Sequence, residues 1–351
     1  MKLKEQLVFW VAISAFLLLF VWIFGDVMLP FVAGIIIAYL LNPFMNFLED
    51  HKLSRKPAAV LILSFFAVII VSMALLLIPP LYRELADLAD TAPQYIDSLW
   101  ERMQHYVEIV ERNVNEDDLD QNIRDAVKEN ISGALTAGSG LLAGLMNGGI
   151  AIMSFLTFVV VTPLVAFFML IEWKSITQWV YGLLPRHDYE KTKSILDTID
   201  LKIAGFIRGQ LLVAVTLGVL YAIALSLAGL RYGFLIGIAS GLLSIIPLFG
   251  SIVGFLMGVI VAWLQNGELS YVAIIGGIFV FGQVLEGNFI SPKLIGDSVG
   301  LHPLWILFAL MAGATLFGIV GMLLAVPVTA AIGVLLNAAI HEYKNSHYYE
   351  G

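Results

Sequence analysis

Helix-length apolar runs recur along this chain and constrain it more than any other feature. A hydrocarbon core about 30 Å thick is crossed by roughly 20 apolar residues in a helix. Runs of that kind lie near 6–24, 27–47, 58–80, 141–171 and 204–229, and shorter ones at 233–247, 249–265, 270–286, 303–317 and 319–340. In lipid every backbone group needs an internal partner, so such runs span as helices. Only 13% of the residues are charged, against about a quarter in a soluble domain. The expected fold is an all-α polytopic membrane protein with about eight transmembrane helices, some of them interrupted or re-entrant hairpins.

Asp26 is expected to break the first pair of spans, and "EDHKLSRK" (49–56) to end the second. The N-terminal run follows a basic start without a small-x-small cleavage site, so it reads as an uncleaved span. The formal net charge is −8, and residues 81–135 alone, with 13 Asp/Glu and five Lys/Arg, account for it. The acidity therefore belongs to one water-exposed segment, and nothing here offers the basic footprint that nucleic acid requires. The chain has no cysteine, which removes disulfides, thiolate nucleophiles and zinc–thiolate sites.

Lys and Arg in short loops set orientation. Lys2, Lys4, Lys52, Arg55, Lys56 and the basic residues between 172 and 203 place those loops, and both termini, in the cytoplasm; Arg231 is a mild exception. The expected organisation is N-terminal spans over 1–80, an extracytoplasmic acidic helical insert over 81–138, and a span over 139–172. Cytoplasmic interfacial helices over 173–203, interrupted at Pro185, a C-terminal transport region over 204–340 and a tail over 341–351 follow. In the insert, Ile96, Trp100, Met103, Val107, Val110 and Val114 alternate steps of four and three, and Leu119, Ile123, Val127 and Ile131 continue in fours. Such seams pack on each other within a helical hairpin or between protomers of a homo-oligomer.

Residues 204–340 are built differently: they hold six charged residues and 21 of the 31 glycines. Gly229, Gly233, Gly237 and Gly241 form one four-residue ridge, and Gly250, Gly254 and Gly258 a second, a spacing that lets helices approach backbone to backbone. Pro247 lies between them. The two arms read as a re-entrant hairpin with its tip over Ser244–Ser251, or as two thin tilted spans; the hairpin fits better, because irregular backbone at depth must be buried or line a cavity. A second interruption combines "GATLFG", with Gly318, and Pro327. Two broken segments in one half point to a transporter site.

Glu286 closes a long apolar run, where a carboxylate costs about 2.5–3.5 kcal/mol on insertion scales if it sits at mid-membrane. Such a group can bind a proton or a cation in turn; otherwise it is a snorkelling glutamate at a helix end. Gln283 and Asn288 flank it with amides suited to cations or polar solutes. Arg208, with Gln210, in "GFIRGQ" offers a cation that could pair with Glu286, or a positive-inside anchor. Ser291-Pro292-Lys293 reads as a helix stop. Pro247, Gly250, Ser251, Pro292, Gly296, Gly318 and Pro327 are the expected hinge or hairpin-tip positions. No Walker loop, GxGxxG, serine elbow or metal-spaced histidine cluster occurs, so neither an enzyme, a cofactor nor a metal is expected.

The order "PFVAGIIIAYLLNP" (30–43), "GFIRGQ" (205–210), "IPLFGSIVG" (246–254), "EGNFISPKLIGDSVGLHP" (286–303) and "FGIVGMLLAVP" (317–327) resembles the AI-2E family of autoinducer-2 exporter-like membrane proteins over nearly the whole chain. The resemblance implies a bacterial or archaeal inner-membrane protein of about eight spans. It implies export of a furanosyl-diester signal in some members and sodium or lithium/proton antiport in others. Family motif positions fall on Glu286, Asn288, Pro292, Gly296 and Arg208. The expected partners are the lipid bilayer and a small polar solute, or a monovalent cation and protons. The expected activity is secondary transport, with export of a small polar metabolite first, Na+(Li+)/H+ antiport second, and an oligomeric passive channel or membrane scaffold third.

Overall fold

A computed structural model of the chain describes residues 3–113, 148–184, 188–295 and 302–345, with the single residues 186, 300 and 349. Among them are nine α-helices, one π-helical segment and no strand. The helices are α1 (Leu3–Asp50), α2 (Arg55–Asn113), α3 (Gly148–Gly182), α4 (Tyr189–Leu227), α5 (Gly233–Leu243), α6 (Phe249–Asn266), α7 (Leu269–Leu285), α8 (Ser291–Leu294) and α9 (Pro303–Lys344). Seven stretches among the described residues are long and apolar enough to cross a membrane: Val27–Asp50, Arg55–Glu84, Leu156–Gly182, Tyr189–Leu227, Phe249–Asn266, Leu269–Leu294 and Pro303–Lys344. Phe65, Leu75, Leu76 and Leu227 stand 66–83% exposed on the outside of the bundle, a surface that only hydrocarbon tolerates. The chain is an all-α polytopic membrane protein.

The expected break at Asp26 does not occur: α1 continues through Asp26, Pro30 and Pro43 for 48 residues, about 72 Å at 1.5 Å per residue. A polar side chain removes no intrahelical bond, and unwinding in lipid would leave backbone groups without partners. Likewise α2 runs without interruption from Arg55 beyond the apolar run to Asn113. Residues 189–203 are the first turns of α4 rather than a separate helix. The packing of the heptad seam (Ile96, Trp100, Met103, Val107, Val110, Val114, Leu119, Ile123, Val127 and Ile131) lies outside the described residues, as do Pro185 and Gly296.

Two apolar cores organise the bundle. The first joins α1, the start of α2 and α3 around Ala38, Leu41, Met45, Ala59 and Leu170. The second is built by α4–α7 around Leu217, Tyr221, Leu225, Ile236, Ile275 and Phe279. In the second, the glycine ridge of α5 lies directly on α4. A Cβ on Gly237 would stand 2.2 Å from Ala222 N, and one on Gly241 2.2 Å from Gly218 Cα. Gly229 is not part of that ridge; it turns the chain between α4 and α5 with φ +74°.

Two hairpins follow from local chemistry. The first is α5–turn–α6, with Leu248 left-handed at φ 69° in its tip. Its two feet are tied together: Gln265 Nε2 donates to Gly229 O (2.9 Å), and Arg231 N–H donates to Gln265 Oε1 (2.8 Å). The second hairpin lies within α9, where Phe317 (φ −138°, ψ 17°) and Gly318 (φ 58°, ψ −136°) leave helical geometry. The limbs fold back until a Cβ on Gly321 would stand 2.0 Å from Gly313 O, whereas eight residues of straight helix span about 12 Å. Ile246 of the first tip packs with Leu310 and Ala325 from the two limbs of the second.

Polar ties close both rims. At one, Asp87 Oδ2 accepts from Arg231 Nη2 (2.8 Å) and Tyr232 OH (2.9 Å), and Glu84 accepts from the Leu235 N–H near the start of α5 (2.8 Å). Asp87 therefore balances the charge of Arg231, which explains how an arginine sits in a loop otherwise free of basic residues. At the other rim Lys174 meets Glu49 (2.7 Å), Tyr39 OH donates to Asp200 (3.0 Å), and Lys191 pairs with Glu342.

Candidate functional site

The sequence places Glu286 at the end of α7, and the structure buries it: 7% of its surface is exposed. It opens a π-helical segment, Glu286–Ile290, that leads directly into α8. The helix expected to stop at Ser291-Pro292-Lys293 runs on to Leu294, one residue past that triplet. Ser291 is helical at φ −64°, ψ −45°, and its N–H reaches back five residues to Glu286 O. Pro292 has no N–H, and its ring would crowd a normal α-turn behind it. The wider π-turn takes up that conflict and keeps the helix continuous, as π-bulges do at functional positions.

The wider turn also aims Glu286 inward. Both of its hydrogen bonds converge on Oε2: Ser251 Oγ donates across 3.3 Å and Gln283 Nε2 across 3.2 Å. Ser251 stands in the first turn of α6, so the positive end of that helix faces the carboxylate. Tyr221 of α4 lies beside Ser251 and Glu286. Its ring stacks on Phe279 at 4.6 Å, and α7 passes so near it that a Cβ on Gly282 would stand 2.4 Å from the ring. The Tyr221 hydroxyl is fully buried without a geometrically sound hydrogen bond. Glu286 Oε1 thus takes no part in either bond, and the Tyr221 hydroxyl stands beside Ser251 without a well-aligned bond to it.

Four of the residues singled out in the sequence belong to this region. Glu286, Gln283 and Ser251 make the cluster. Gln210, also buried, donates from Nε2 to Ser244 O and thereby caps the C-terminus of α5 at the hairpin tip. Gly250 lets α6 lie on α5: its Cβ would stand 2.1 Å from Ser240 O. Pro247 occupies the turn between α5 and α6, Gly318 the bend of α9, and Pro327 a buried place in the second limb of α9.

Two residues lie elsewhere. Asn288 is exposed, and its amide donates to Val284 O of its own helix (2.9 Å). Arg208 is exposed and does not pair with Glu286. It shares a helix with buried Gly209 and Gln210, and successive helical residues point about 100° apart, so the face that turns Gln210 inward turns Arg208 out. Sequence reasoning missed Tyr221 and Ser240, and it named Ser244 only as the edge of the hairpin tip. The serines carry a signal, four residues apart and interleaved with the α5 glycines; Tyr221 sits inside an apolar run and carries none.

The sequence profile of the AI-2E family transporters matches residues 11–341. The chain belongs to the AI-2E family. This AI-2E chain is 28% identical over 345 residues to the "Putative transport protein YrrI" of Bacillus subtilis (strain 168), covering 94% of this chain and 96% of that one. It is 26% identical over 312 residues to the "AI-2 transport protein TqsA" of Escherichia coli (strain K12), covering 89% and 86%. It is also 25% identical to the "Putative permease PerM" of the same strain over 338 residues, covering 92% and 89%. The AI-2E chain is thus a multi-pass membrane transporter or permease, and these names point to transport rather than to an enzyme.

Proposed function

We propose that this AI-2E transporter exports a small, hydroxyl-bearing polar metabolite of the autoinducer-2 kind across the cytoplasmic membrane, with both termini in the cytoplasm. The observation that carries this reading is the buried cluster of Ser251, Gln283, Glu286 and Tyr221, set in an apolar body. A carboxylate oxygen and a phenol without a well-aligned bond suit a neutral solute with neighbouring hydroxyls. The tied feet of α5–α6 beside Asp87, and the pairing of Lys191 with Glu342 at the far rim, support two hairpins that enter the membrane from opposite sides. On this reading α5, with 11 residues, is re-entrant because a span requires about 20. The heptad seam of the acidic insert, outside the cytoplasm, then joins protomers of a homo-oligomer.

A second reading is Na+(Li+)/H+ antiport. It is favoured by a buried carboxylate that has no Lys or Arg partner among the described residues. Flux into and out of proteoliposomes distinguishes the two: a polyol-like solute, sodium and lithium are each followed with and without a proton gradient. Saturable movement of the solute supports export. Cation movement that collapses the gradient supports antiport, and unsaturable flux of all three overturns both in favour of a pore.

A further inference from the structure

Apart from the polar cluster, the body holds a cavity of about 490 Å³ between α1, α4 and the second limb of α9. Val32 and Ile36 of α1, Ile207 of α4, and Pro327 and Ala331 of α9 form its walls. It opens sideways past Val328 and Ile332, each about half exposed on the apolar exterior. Its two polar wall residues are already engaged: Gln210 Nε2 donates to Ser244 O, and Tyr39 OH donates to Asp200 Oδ1. Gln210 keeps its carbonyl oxygen and one N–H beyond that bond, but every wall residue other than these two is apolar, and a polar solute or water needs two to four partners. The occupant is therefore apolar and arrives from the membrane.

Charged residues flank this cavity without lining it: Asp200 accepts from Tyr39, Lys202 precedes Ile203, and Arg208 follows Ile207. Arg208 is next in sequence to Ile207 and one turn from Leu211, both of which line the wall. It is exposed and forms no ion pair with any described residue. Its level suits a lipid headgroup: the 19 residue steps from Arg208 to the end of α4 at Leu227 rise about 28 Å, close to the hydrocarbon thickness of about 30 Å. Arginine binds phosphate through a planar fork of donors, and its long stem runs along apolar surface to present that fork at the interface.

We infer that the cavity between α1, α4 and α9 holds an acyl chain of an anionic phospholipid whose phosphate is bound by Arg208. The lipid would then stand between the first helical core and the hairpin pair, with its chain against the helix that Gln210 ties to the first tip. This inference is independent of the transported solute.

Native mass spectrometry of the purified full-length chain tests it, with phosphatidylglycerol and phosphatidylcholine of identical chains added to the micelles. The wild type should retain phosphatidylglycerol about tenfold more tightly, the effect of roughly 1.4 kcal/mol. Arg208→Gln should abolish that preference while both lipids still bind. Ala331→Phe, which fills the cavity, should lose both, and Val32→Phe gives the same reading from the opposite wall if the first variant does not fold. Equal retention of the two lipids by the wild type overturns the role of Arg208. Undiminished binding by a folded cavity-filling variant overturns the site.

Discussion

Ser251 Oγ donates to Glu286 Oε2 across 3.3 Å, and this bond joins the first turn of α6 to the π-helical segment after α7. It couples the first hairpin to the carboxylate. A hydrogen bond to a charged group contributes about 1.5–3 kcal/mol, roughly 10–100-fold in affinity. Ser251→Ala is expected to raise the half-saturating solute concentration at least about tenfold on that arithmetic. Glu286→Gln should abolish saturable flux at unchanged expression. Initial rates in proteoliposomes check both, and wild-type rates in Glu286→Gln would remove the carboxylate from the mechanism.

The glycine ridge gives a prediction about stability. Gly237 has backbone of α4 within 2.2 Å of where its Cβ would stand, whereas Gly277 has nothing within 4 Å. Backbone cannot yield as a side-chain tip can, so Gly237→Ala should cost at least the 1–3 kcal/mol typical of overpacking. Gly277→Ala should be neutral or slightly stabilising, since alanine is the better helix former by about 1 kcal/mol. Thermal unfolding in one detergent compares them, and equal midpoints would mean that α5 does not lie on α4 this closely.

At Gly318 the cost is conformational rather than steric. No atom lies within 4 Å of a Cβ there, yet φ 58° with ψ −136° is ground that only glycine occupies readily. Gly318→Ala should lose about 1–3 kcal/mol or straighten the two limbs of α9. A spin-label pair on the two limbs separates these outcomes: a lengthened distance reports straightening, and a lower unfolding midpoint at fixed distance reports strain.

The rim clamp responds to pH. The hydrogen bond from Tyr232, and then that from Arg231, hold the carboxyl of Asp87 below its usual range. A carboxylate depressed on folding adds stability that is complete above its unfolded pKa and is lost as pH falls through the lower, folded value. The midpoint difference between wild type and Asp87→Asn should therefore be constant near neutrality and vanish only below the ordinary aspartate range. A difference that disappears nearer neutral pH would place the control in another group.

Much of this was legible beforehand, and the reasons for the rest are physical. Apolar run lengths marked the spans, and glycine spacing marked the close contact of α5 with α4, because both are local properties of the chain. Asp26 misled because an acidic residue in an apolar run signals a boundary only if the helix gains by ending there, and in lipid it does not. Pro292 misled about Ser291 for a related reason: the π-turn beginning at Glu286 absorbs the missing N–H, and a five-residue hydrogen bond leaves no periodic trace. The Arg208–Glu286 pairing failed because sequence gives complementary charge but not helix rotation. Tyr221 was invisible because an aromatic residue in an apolar run looks like core on every local criterion; only the convergence of separate helices brings its hydroxyl beside Ser251 and Glu286.

That hydroxyl yields the last prediction. Tyr221 OH is a buried polar atom that lies beside Ser251 without a well-aligned hydrogen bond, and a buried hydroxyl left so costs up to about 1–3 kcal/mol. A residue selected only for packing would do better as phenylalanine, which keeps the ring against Phe279 and removes that hydroxyl. Tyr221→Phe should therefore leave the unfolding midpoint unchanged or raised. If the hydroxyl is reserved for the solute, the same variant should lose saturable flux by about the 10–100-fold that one polar contact is worth. Stability and flux moving in opposite directions would identify Tyr221 as a binding group, whereas unchanged flux with raised stability would return it to the core.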